Sequence, residues 1–143
     1  MTAYKTEDEN FIRKMVMHPE IKPFMFPFDV PVNAPFNMKK IFDKEIIVYA
    51  IVESQMPIGI GVVSIKDSDI WIDIAFIPEV RGKKAVIFAT ETLNCYIAEY
   101  KPRILYAKIR RNNLKSRLFA GWFNFECFKQ DEMYFYMRRQ FYG

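Results

Sequence analysis

Over residues 45–77 the apolar residues of this chain follow a period of two; after Pro78 the period changes to about 3.6. Three strand-like runs precede the switch, Glu45 to Glu53, Ile58 to Ile65 and Ile70 to Ile77, joined by Ser54-Gln55-Met56-Pro57 and Lys66-Asp67-Ser68-Asp69. Connectors this short and polar imply an antiparallel meander. After the switch, Ala85, Val86, Ala89, Leu93, Tyr96 and Ile97 fall on one face of a helix that must stop before Pro102. Ile104 to Ile109 then reads as a strand and Asn113 to Phe123 as a second amphipathic helix. Phe125 to Phe141 reads as a hairpin turning near Gln130-Asp131-Glu132. The fold class expected is α/β (α+β), a mixed and mostly antiparallel sheet with helices on both faces.

Ahead of the first strand, Thr6-Glu7-Asp8-Glu9 has the form of a capping box before a helix carrying Phe11, Ile12, Met15 and Val16 and ending near His18. Proline then recurs at every fourth position (Pro19, Pro23, Pro27, Pro31, Pro35), too often for a helix to persist. Phe24, Phe26, Phe28 and Phe36 are too apolar for a free linker, so residues 19–36 are expected as a loop packed over the body of the domain. A short helical turn is expected from Met38 to Phe42. At 143 residues, 51% of them hydrophobic, the chain has material for one core, and residues 1–143 are expected as a single domain.

Composition also excludes several functions. The N-terminal MTAYKTEDENF lacks the apolar core of a signal peptide and no apolar run has the length of a membrane span, so a cytoplasmic protein without a membrane partner is expected. Cys95 and Cys127 form no CxxC pair and His18 is the single histidine, which leaves no metal site. Both cysteines lie in apolar stretches and read as buried free thiols. The net charge of +4 draws on Arg103, Lys108, Arg110, Arg111, Lys115 and Arg117, which read as a solvated face or as contacts to a phosphate. Nucleic-acid binding calls for a denser basic stripe with exposed aromatics and is not expected. Trp122, Phe123, Phe125 and the run Met133 to Met137 exceed what one sheet face requires, and the surplus suits a hairpin pairing across a homodimer.

The segment Ile74-Ala75-Phe76-Ile77-Pro78-Glu79-Val80-Arg81-Gly82-Lys83 resembles the strand-loop-helix motif that binds coenzyme A in the GNAT superfamily of N-acetyltransferases. Downstream, Asn113, Ser116, Leu118, Phe119 and Phe125 resemble that superfamily's Asn-x-x-Ser/Ala stretch ending in Gly-Phe. The resemblance implies the acyl-CoA N-acyltransferase fold, acetyl-CoA or CoA as cofactor, and acetyl transfer to an unknown amine substrate. It assigns the pantetheine to the strand at Phe76 and Ile77. The pyrophosphate falls to the turn Arg81, Gly82, Lys83, Lys84, Ala85 and Val86, with Asn113 and Ser116 flanking the cofactor. The physical reason is that unpaired N–H groups at a helix N-terminus, at the positive end of its dipole, receive phosphate.

Asp73 is the candidate general base, with Glu53 and Asp69 behind it, although simple strand alternation also turns Asp73 outward. Lys84 and Val86 stand where the superfamily places glycines. Ala120 stands where it places a tyrosine acid, and Asn124 where it places another glycine. Tyr106 and Tyr134 are the available substitute acids. These departures fit a second reading, a GNAT-like protein without catalysis that serves a protein partner as an assembly or accessory factor. The resemblance extends to small GNAT-like proteins of bacteriophage genomes, which on this reading implies a role in virion assembly in the host cytoplasm.

Overall fold

The computed structural model describes residues 2–21, 46–80 and 82–141. Most of the expected packed loop, the turn at Met38 to Phe42, and Arg81 fall outside the described residues. In chain order the elements are β1 (Thr2–Lys5), α1 (Glu9–Val16), β2 (Ile46–Glu53), β3 (Met56–Lys66), β4 (Asp69–Phe76), α2 (Gly82–Tyr100), β5 (Ile104–Arg110), α3 (Leu114–Trp122), β6 (Glu126–Gln130) and β7 (Tyr134–Gln140). The seven strands form one sheet in the order β1-β2-β3-β4-β5-β7-β6. Every neighbouring pair is antiparallel except β4 with β5, which is where α2 carries the chain across as a parallel crossover.

The meander turns on two-residue loops. Ser54 and Gln55 adopt φ of 49° and 66°, and Asp67 and Ser68 adopt 49° and 72°. Positive φ at both central residues gives a turn whose twist matches that of the flanking strands. The strands therefore run up to the turns, and β3 begins two residues earlier than its sequence pattern indicates. Pro57 is accommodated because the β2–β3 register shifts beside its partner Val52.

Two details at the N-terminus differ from the sequence reading. β1 is an edge strand that pairs Thr2 to Lys5 with Val52 to Tyr49; it went unread because four residues are too short a run to show alternation. The N-cap of α1 is Asp8, whose carboxylate accepts from the N–H groups of Asn10 and Phe11 at 3.0 and 3.2 Å. Thr6 sits two residues back, its hydroxyl accepting from the Asp8 N–H at 3.0 Å. The helix ends at Val16, with Met17 as its C-cap.

The two sheet faces carry different helices. On one, Ile12, Met15 and Val16 of α1 pack with Ile21, Val48, Ile60 and Val62. On the other, Leu93 and Tyr96 of α2 and Ala120 of α3 pack with Tyr49, Val63, Ile72, Leu105 and Met137. The buried side of α2 is Ala85, Phe88, Ala89, Thr92, Leu93 and Tyr96. Cys95 falls on the opposite side of that helix and is exposed, and Cys127 is half-buried, so the reading of both as buried thiols is corrected. No helix among the described residues is long and apolar enough to cross a membrane.

Candidate active-site cleft

The parallel strands β4 and β5 pair only at Ile70 with Leu105 and Trp71 with Tyr106. Beyond those positions they separate, leaving the backbone of Ile72 to Phe76 and of Ala107 to Ile109 on either side of a gap. A cavity of about 830 Å³ occupies it, lined by both strands, by Gly82 to Leu93 of α2, and by Asn113 to Phe123 of α3 and its flanks. That volume lies in the upper part of the range for small-molecule and cofactor sites.

The cavity reaches both faces of the sheet. Asp73 pairs with Val62 in the β3–β4 register, which places it on the α1 face, and there Glu20 and Ile21 line the cavity with it. On the other face the mouth is bounded by α2 and α3. Ile87, Leu118 and Trp122 stand exposed around that mouth, Trp122 at 65% of its full accessibility. Trp122, one of the surplus aromatics in the sequence, lies at the cleft rim in edge contact with Phe119.

The N-terminus of α2 opens into the cavity. Gly82, its first residue, has φ of +62°, and a Cβ built there would meet nothing within 4 Å. Glycine is thus required by conformation, and its Cα faces open space. Lys83, Ala85 and Val86 also line the cavity, as do Phe76 and Ile77. Lys84 does not: its Nζ bonds Glu53 Oε1 of β2 at 2.8 Å and lies over the Phe88 ring, 5.7 Å from the centroid. The Lys84 side chain, expected at the cofactor, is thus turned onto Glu53, the reserve base, instead of lining the cavity.

Asn113 and Ser116 both reach the cavity. Asn113 caps α3, its side-chain oxygen accepting from the Ser116 N–H at 3.2 Å. The Asn-x-x-Ser spacing is thus a helix cap that aims the first turn of α3 at the cleft. Lys108 and Lys115 complete the cationic lining. Lys108 sits 4.0 Å above the Tyr134 ring, and burial, then the charge of Lys66, holds its ammonium below the ordinary lysine range.

The two tyrosines named as substitute acids lie away from the cavity. Tyr106 is stacked on Trp71 at 5.0 Å and Tyr134 is buried beneath Lys108; neither lines the cavity. Ser116 carries the only side-chain hydroxyl among the described residues that line it. No group of His, Cys, Asp and Glu among the described residues is arranged to hold a metal.

No protein-family model matches this chain, and no curated protein sequence matches it. Its structure is similar to the spermidine N-acetyltransferase of Vibrio cholerae solved with CoA and spermine. There the TM-score is 0.76 at 15% identity, over 97% of this chain and 94% of that one. The GNAT domain of S. lividans PAT superposes with a TM-score of 0.72 at 10% identity, over 97% and 89%. The Campylobacter jejuni N-acetyltransferase PseH, solved with acetyl coenzyme A, gives 0.62 at 16% identity, over 72% and 74%. The chain has the GNAT fold.

Within that fold, the departures from the superfamily pattern acquire physical meaning. Lys84 and Val86 are ordinary helical positions of α2, so the backbone needs no glycine there; Gly82 alone carries positive φ among the described residues of this turn. Asn124 takes φ of 66° just past the C-cap of α3, where the Phe125 N–H bonds back to Ala120 C=O at 2.9 Å. Asparagine tolerates that left-handed position and so replaces the glycine without loss of the turn. Ala120 is buried and lines the cleft, giving it volume rather than a hydroxyl.

Proposed function

We propose that this chain binds an acyl-coenzyme A and transfers its acyl group to an amine, with the nucleotide end of the cofactor at the α2–α3 mouth and the amine entering from the α1 face. The observation that carries the reading is the gap between β4 and β5, which ends at the N-terminus of α2 and passes through the sheet to Asp73.

The residues present fit the cofactor. Gly82 leaves open space before the α2 turn, whose N–H groups and the Lys83 ammonium suit a pyrophosphate. From Gly82 to Leu93 the helix supplies roughly 16 Å of wall at the standard rise. A pantetheine arm spans about 14 Å, the length of roughly four extended residues. The backbone edges of the splayed strands that face the gap suit the amides of such an arm.

Bound acetyl-CoA supplies an activated thioester. Asp73 accepts the proton that the amine loses as its nitrogen bonds the carbonyl carbon, either directly or through one water. The carbon–sulfur bond breaks as the acyl group is transferred, and its electron pair leaves on the CoA sulfur, which takes its proton from solvent. A thiol of ordinary pKa near 8.5 leaves without obligatory protonation, so the absence of a tyrosine at position 120 is compatible with turnover. Glu20 and Asp73 set a negative charge at the α1-side entrance, which favours a cationic amine.

The test is thiol release from acetyl-CoA in the presence of primary amines, compared between the wild type and Asp73→Asn. Amine-dependent release that falls by a factor of roughly 10²–10⁴ in the variant supports the assignment. No amine-dependent release from any acyl-CoA refutes it and leaves the assembly-factor reading.

A further inference from the structure

Resting on the acyl-CoA reading of the cleft, we infer that the acyl group it is built for is an aliphatic chain longer than acetyl. The features that point to it lie at the inner end of the cavity, away from the α2 N-terminus. Leu105, Val63 and Met137 in the same apolar cluster are fully buried, at 0% exposure. Ile72, Ile109, Ala120 and Phe125, also members of that cluster, retain 7%, 9%, 8% and 8%, and all four line the cavity. These four side chains form the apolar inner wall of the cavity.

The shape of the wall adds to this. Ala107 lies between Leu105 and Ile109 on the face of β5 that carries α3, so the strand wall recedes at its centre. Ala120 of α3 faces the same space, and a larger residue at either position fills it. The polar groups of the cavity lie elsewhere. Asp73 and Glu20 are at the α1 face, Lys83 and Ser116 are at the N-terminal turns of α2 and α3, and the Lys108 ammonium is held over Tyr134. An acetyl methyl covers only a small part of this hydrocarbon wall and leaves the remaining apolar side chains against water. A butyryl or longer chain displaces that water and covers Ile72, Ile109 and Phe125.

The test is a calorimetric titration of the wild-type chain with free CoA, acetyl-CoA, butyryl-CoA, hexanoyl-CoA and succinyl-CoA, with thermal shift as a second readout. Two extra methylenes buried in the chamber are expected to tighten butyryl-CoA roughly tenfold over acetyl-CoA. Ala120→Phe is expected to bring that ratio to about one, with Ala120→Val as the milder variant should the larger one not fold. If free CoA and acetyl-CoA bind and butyryl-CoA binds no tighter, the inference fails while the acyl-CoA reading stands. Succinyl-CoA binding tighter than butyryl-CoA overturns the aliphatic assignment. A butyryl preference that survives in the folded Ala120 variant overturns the placement of the chain. No binding of any thioester or of CoA removes both the inference and the reading beneath it.

Discussion

Replacing Gly61 with alanine tests how α2 seats on the sheet. Gly61 lies in the middle of β3 opposite Tyr49, and an added Cβ would overlap the Tyr96 Oη and come within 3.3 Å of its Cζ. Tyr96 is fully buried, and its hydroxyl has no hydrogen-bond partner among the described residues. Desolvation, with the Asp73 charge second, pushes its phenol well above the ordinary range, so it stays neutral. Alanine for glycine in a strand normally gains about 0.4–1 kcal/mol through the unfolded chain. Here the overlap forces Tyr96 off its seat, and overpacking of this kind costs about 1–3 kcal/mol, so the sign is destabilising. For a domain of this size each kcal/mol moves Tm by roughly 2–4 °C. Tyr96→Phe removes both the clashing atom and an unpartnered buried hydroxyl, and is expected to be neutral or stabilising by about 1 kcal/mol. Equilibrium denaturation of the two single variants and the double should then show Gly61→Ala costing at least about 1 kcal/mol less when Tyr96→Phe is also present. Equal costs with and without the tyrosine hydroxyl would refute the packing argument.

Charged groups give two further outcomes. Lys83→Ala should weaken CoA binding by roughly tenfold, as expected for loss of a charge-assisted contact, whereas Lys84→Ala should change it less than about twofold, because Lys84 is turned onto Glu53; calorimetry on both variants separates the two. Lys5 and Tyr49, both bonded to the Glu99 carboxylate, hold its pKa below the ordinary 4.5. A carboxyl lowered on folding contributes stability that is fully present above its unfolded pKa and lost as pH falls through the folded one. Stability measured between about pH 5 and pH 3 should therefore decline less steeply in Glu99→Gln than in the wild type.

The sequence made much of this architecture legible because its signals were local. Alternation marked β2, β3 and β4, the change of period after Pro78 marked α2, and Pro102 ended it. What stayed hidden depends on distant partners. β1 is a strand only because β2 offers it an edge, and Thr6 and Asp8 are equally good caps until the end of β1 selects Asp8. The turn of Lys84 onto Glu53 joins two elements that no spacing rule connects. The cleft residues Phe76, Ile77, Gly82, Lys83, Ala85, Val86, Asn113 and Ser116 were found through a resemblance in motif, and each lines the cavity. Ile72, Ala107, Ile109 and Ala120, which form its inner wall, were not singled out as lining a site because an apolar residue facing a cavity has the same pattern as one facing the core.

The central claim, that the gap between β4 and β5 receives acyl-coenzyme A, is tested most directly by titrating acetyl-CoA into the chain and following Tm. One-site binding predicts stabilisation that grows with the logarithm of ligand concentration, reaching about 2.7 kcal/mol at a hundred times Kd. That corresponds to a rise of roughly 5–11 °C for a domain of this size. A Tm that stays flat up to millimolar acetyl-CoA would contradict the account.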